Sequence, residues 1–315
     1  MEISESNPLN VGLTFAEAGF EVGIFNAETR KADVLMKDLL EISVKNSQVT
    51  VGTECDLLSP AYINLYDKIH RNNESVDSQD KGKRTNGKHP SSIGEWLVLF
   101  FAQVKQCIRR RYLKNSLGCL VIATEFVASR RTKALLETAA VSAGFTSVRV
   151  LPCGLVIAVA YALLNEANNY SGNLLVIQYF KHSFSMSVLQ VAQDSVRLLL
   201  SHGSGNMTEG STEMFRRLHG HLATGGSLCA DQKFYIEEIY KQATKKLYDF
   251  SVHKSYCIAD GIYVSKLKTK IDEFILRMLP VKRIETENIS LLGACLVSSA
   301  GDGIISNFPN IIDVV

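Results

Sequence analysis

Two stretches of this chain open in the same way. Residues 11–25 (VGLTFAEAGFEVGIF) read as two short strands joined by a turn near Glu17–Gly19. Asn173–Tyr179, Phe184–Val191 and Ser195–Ser201 read as three strands in a meander. Helical patterns follow each opening. Strands that feed helices twice over restrict the chain to a duplicated α/β architecture. Its 315 residues, 46% of them hydrophobic, suffice for two lobes with their own cores.

Periodicity fills in the intervening segments. Residues 26–70 are mixed, with short apolar runs. The stretch Arg71–Ser92 is almost wholly polar and is expected to be a flexible loop, because it buries too little apolar surface to offset its ordering entropy. Ile93–Tyr112 carries Ile93, Leu97, Phe100, Phe101, Val104, Ile108 and Tyr112 at helical spacing. Leu117–Ala123 is an apolar strand. Ser129 can cap a helix that ends before Gly144. Ser147–Leu151 follows as a strand, and Leu155–Glu166 as a helix of small residues. Further helices are expected at 211–223, 231–249 and 264–278, a strand at Tyr256–Ala259, and a last helix at Leu291–Ser299. Gly203-Ser204-Gly205 reads as a turn between a strand and a helix.

Several function classes are disfavoured. A net charge of +2 gives no reason to invoke DNA or an acidic membrane surface. The seven cysteines are dispersed and none forms a CxxC pair, which favours reduced thiols over a zinc site or a disulfide framework. Met1–Asn10 lacks the basic start and apolar run of a secretory signal. No apolar run reaches the roughly 18 residues of a membrane span, so a cytoplasmic protein is expected. His219 and His221 are two apart and share no helical face. No Ser-His-Asp, Cys-His or Walker spacing stands out. Glu125 and Asp260 are the carboxylates weighed as a pair.

Five segments, in order, resemble the nucleotide-binding domain of the seventy-kilodalton heat-shock chaperones. Residues 11–25 match the family's first phosphate loop without gaps, and residues 174–191 (LLVIQYFKHSFSMSVLQV) match its second. Residues 144–163 resemble the stretch that carries Glu-Pro-Thr, 257–271 its adenosine motif, and 289–300 its closing helix. The stretches FSMSVLQV and GFTSVRVL are most similar to the ribosome-associated branch that pairs with a zuotin-type J-protein. The resemblance implies a two-lobed, actin-like ATPase fold with duplicated ribonuclease-H-like subdomains. Lobe I would span 1–168, with a reduced upper subdomain at 26–92 containing the loop 71–92. Lobe II would span 169–315, with the final helix at about 289–301 returning to lobe I.

At the matched positions the family's chemistry is missing. The first hairpin has Thr14 for an aspartate, Ala16 for a glycine and Glu17 for a phosphate-binding threonine. The second has Gln178 for an aspartate and Phe180, Lys181 and His182 for three glycines. Cys153, Gly154 and Leu155 stand at Glu-Pro-Thr. Asn206 replaces another aspartate in the segment that ends near Gly210, and Ala259-Asp260 replaces the adenosine-side glycine pair before Gly261. Side chains would fill the space that phosphate needs, Glu17 would repel it, and the acidic magnesium ligands are gone. Nothing follows residue 315, so neither a peptide-binding domain nor a lid is expected. The expectation is a non-catalytic heat-shock-70-like pseudo-ATPase with no cofactor. It would act as a co-chaperone or scaffold through a J-domain protein, another chaperone or the ribosome. The alternatives are a slow ATPase or a protein that holds ATP and magnesium structurally, and a truncated remnant. The basic helix end Lys105, Arg109, Arg110, Arg111 and Lys114 is the candidate partner contact, with a solvated face as its plain reading.

Overall fold

The computed structural model describes residues 8–16, 19–59, 61–74, 90, 92–112, 116–126, 128–164, 172–179, 184–192, 194–204, 256–260, 282–283, 289–302 and 310–312. They divide into two compact units, Met1–Val156 with Ser290–Ser306, and Ile157–Ile289 with Asn307–Val315. The protein is mixed α/β.

The first unit opens with the hairpin β1 (Leu9–Ala16) and β2 (Gly19–Asn26), followed by β3 (Lys31–Asp38). Then come β4 (Glu41–Lys45), β5 (Gln48–Val51), a 3-10 turn at Gly52–Glu54, β6 (Tyr62–Asn64) and α1 (Leu65–Glu74). After α2 (Ile93–Tyr112) the chain forms β7 (Leu117–Thr124), α3 (Arg130–Ser142), β8 (Ser147–Pro152) and α4 (Cys153–Leu164). The division between units falls within α4.

One sheet of this unit has the order β3-β2-β1-β7-β8. Its first three strands are antiparallel neighbours, and β1, β7 and β8 run parallel. Parallel neighbours need crossovers, which α2 and α3 accompany in sequence. The expected α2 face is the buried one: Leu97, Phe100, Phe101, Val104 and Ile108 are in the core. Phe100 stands edge-on to Phe20 at 4.9 Å and Phe101 at 5.2 Å. Ser129 caps α3 as its sequence suggests, its Oγ accepting from Thr132 N at 3.2 Å.

A second sheet, β5-β4-β6, occupies the region read from sequence as mixed. Asp38 anchors it: Oδ1 accepts from Leu39 N and Thr53 N, each at 2.8 Å. Gly52 has φ +87°, and a Cβ there would strike the Asp38 carboxylate. Helix α1 continues through Glu74, so Arg71–Glu74 is helix and not part of the expected loop. Asn64 Oδ1 accepts from Asp67 N at 3.0 Å and starts the helix, while buried Leu65 and Ile69 hold it. The remainder of 71–92, apart from residues 90 and 92, lies outside the described residues.

The second unit contains β9 (Gly172–Tyr179), β10 (Phe184–Val191), β11 (Ser195–Ser204), β12 (Tyr256–Asp260) and β13 (Lys282–Arg283). Helix α5 (Ile289–Ser298) and a 3-10 turn at Ser299–Asp302 precede β14 (Asn310–Ile312). The sheet order is β13-β12-β9-β10-β11-β14. Gly203 and Ser204 belong to β11, paired with Ser185 and Phe184, and not to the turn read from sequence. The strand pairing continues there because β10 supplies partners to its first residue. The helices expected at 211–223, 231–249 and 264–278 lie outside the described residues.

Helix α5 is nearly wholly buried and packs within the first unit. A Cβ on Gly12 of β1 would lie 2.5 Å from Cys295 N and 2.7 Å from Cys295 Sγ, and one on Gly293 would strike Val156 O of α4. Backbone meets backbone there, which only glycine permits. Burial pushes the Cys295 thiol far above its ordinary titration range.

Candidate functional site

In parallel sheets, ligands gather beyond the carboxyl ends of the strands. In the first unit the register aligns those ends: Phe15 of β1 pairs with Thr124 of β7, which pairs with Pro152 of β8. Thr14, Ala16, Glu125 and Cys153 therefore come to one end of one sheet. Asn10 secures the β1–β7 register. Its Oδ1 accepts from Cys119 N at 2.6 Å, where β7 carries two residues against one.

Each group at this end is held in a definite way. Thr14, 8% exposed, has its Oγ1 accepting from Glu21 N across the hairpin at 3.2 Å. The hydroxyl is thus engaged with its own β2 neighbour. Glu21 in turn forms an ion pair with Lys37 on β3. Glu125 follows β7 directly; its backbone N donates to Phe15 O at 3.2 Å, and its side chain is 3% exposed. Thr124 Oγ1 donates to Phe126 O at 2.8 Å. Cys153 is buried in the first turn of α4. Among the described residues at these strand ends, Glu125 is the one carboxylate.

In the second unit, Gln178 lies near the end of β9, 2% exposed and paired with Ser185 of β10 and Asp260 of β12. Ala259 pairs with Ile177 one step earlier. The structure thus brings Gln178, Ala259 and Asp260 to one end of this sheet. Glu17, Phe180, Lys181, His182, Asn206, Gly210, Gly261 and Lys114 lie outside the described residues.

The basic helix end separates into different roles. Lys105 Nζ donates to Ala143 O at 2.9 Å and so serves the carboxyl end of α3. Arg111 Nη1 donates to Leu35 O at 3.2 Å and lies 3.4 Å from Val34 O, both on β3. Arg109 and Arg110 are exposed. The repeated Arg residues disclosed none of this division, since which cation reaches a carbonyl depends on what packs beside the helix. Asn10 and Asp38, which fix the strands around the site, also lack a sequence signal: each is a single polar residue whose partner is distant or across a turn.

Among the described residues, no group of three or more His, Cys, Asp or Glu forms a metal cluster, and no helix is long and apolar enough to cross a membrane. No protein-family model matches the chain, and no curated protein matches it.

Proposed function

We propose that the chain is a two-lobed, actin-like relative of the heat-shock-70 nucleotide-binding domain that has lost hydrolysis and works as a binding subunit. One observation carries this reading. β3-β2-β1-β7-β8 and β11-β10-β9-β12-β13 have the same order and the same strand directions, and the matching central strands carry neutral Thr14 and Gln178 near their ends. A duplicated frame supports the two-lobed ancestry. The two matched positions do not suit a magnesium nucleotide, because a hydroxyl spent on its own hairpin and a neutral amide offer magnesium no anionic oxygen. Fold and activity are separable, and the retained frame suits a docking role in cytosolic protein folding, with a J-domain protein or another chaperone as partner.

Calorimetric titration with Mg-ATP tests this directly. No heat and no shift in melting temperature are expected at tens of micromolar nucleotide. A dissociation constant near about 1 μM would overturn the reading. In that case, turnover measurements would separate a slow ATPase from a protein that uses the nucleotide structurally.

A further inference from the structure

β3 is the outer strand of its sheet, with no strand beyond it among the described residues. An eight-residue edge of this kind is a template for strand addition unless something blocks it. The strand is interrupted by an extra residue: Gly23 pairs with Val34 and Val22 with Met36, so Leu35 is bulged. Arg111 acts at this bulge. Its Nη1 reaches the carbonyls of Val34 and Leu35 from the last turn of α2, while the side chain is otherwise exposed.

We infer that Arg111 guards the β3 edge, and that the strand it excludes is β3 of a second copy of this chain. The guanidinium occupies backbone acceptors that an incoming strand would use, and an incoming strand would have to displace it or bury its charge. β3 is suited to pairing with itself. An antiparallel pair centred between Val34 and Leu35 sets Lys31 of one copy against Asp38 of the other, with Val34 against Leu35. Such a pair is isologous, so one guard residue protects both sides of the contact. The basic run thus serves, in part, to keep the chain from pairing with itself.

The test is light scattering on the full chain at rising concentration, with R111A, R110A and the unaltered protein side by side. Lysine crosslinking of mixed isotope-labelled and unlabelled protein reports contacts between copies. R111A is expected to at least double in mass as concentration rises, and to give intermolecular Lys31–Lys37 crosslinks. The unaltered chain and R110A should show neither change. An R111A mass that tracks the unaltered chain overturns the inference, as does association without that crosslink. Should R111A melt below the assay temperature, R111M keeps an unbranched stem on α2, removes every donor and serves as the second variant. Concentration-dependent association with the crosslink then supports the guard, and an unchanged mass overturns it.

Discussion

The two large sheets share strand order and direction, yet they differ at the heart of the central strand. Two residues before Thr14, β1 carries Gly12; two residues before Gln178, β9 carries the fully buried Val176. Gly12 has no side chain because α5 lies directly on it, with Cys295 at backbone distance. Val176 supplies core volume at the corresponding place. In the first sheet a helix from far along the chain thus meets the bare backbone of the central strand, and in the second the central strand carries a buried side chain at the corresponding place. Outer edges differ as well: β3 is met by Arg111, and β11 is joined in parallel by β14 over Ser195–Arg197.

Exchanging the residue types is the strongest way to break this comparison. Gly12→Val should force α5 off β1 and cost about 3 kcal/mol, read from the midpoint of urea unfolding. Val176→Ala should cost about 2 kcal/mol by removing buried methyl groups. If Gly12→Val is the milder change, the close approach of α5 does not govern the first sheet.

A smaller effect sharpens the contrast at the candidate site. Thr14→Val leaves Glu21 N without its side-chain acceptor and should cost about 1 kcal/mol. A null effect in the same unfolding assay would mean that Thr14 is not committed to its hairpin.

The smallest effect concerns β5-β4-β6, which has no counterpart in the second unit among the described residues. Desolvation, with Glu41 close by, pushes the Tyr62 phenol from 10.0 up to about 12. The protonated phenol is favoured in the folded state. Its stabilisation is therefore complete below pH 10.0 and is lost as pH rises from there towards about 12. Melting temperature should fall more steeply over that window for the unaltered chain than for Tyr62→Phe. Parallel profiles would place Tyr62 in water.

The long periodic elements were legible in the sequence for a physical reason. The α2 stripe and the apolar runs of β7, β9 and β10 announce burial that local pattern alone can encode, and Ser129 announces its cap. The short strands β3 to β6 were not legible. Lys31, Asp33 and Lys37 interrupt β3, and the β4–β5 turn uses Asn46 and Ser47 at positive φ, with no glycine to mark it. At the site, the sequence singles out Thr14 and Gln178, and the structure brings each to a strand end. It weighs Glu125 and Asp260 as a pair without placing either, and the register sets Glu125 beside the end of β1 in one unit and Asp260 beside Gln178 in the other. That assignment depends on strand order, which no local pattern specifies.

The position of α5 also bears on how the protein is made. Synthesis proceeds from the amino terminus, so β1 and β2 leave the ribosome long before residues 289–298 exist. Until then Gly12 and Gly23 face outward from an unfinished core, with the surface that α5 will cover left bare. A contact spanning nearly the whole sequence raises the contact order of the first unit and delays its closure. Strands near the start of the sequence thus belong to a core that waits for α5, and the apolar surface that α5 covers stays bare until residues 289–298 are made.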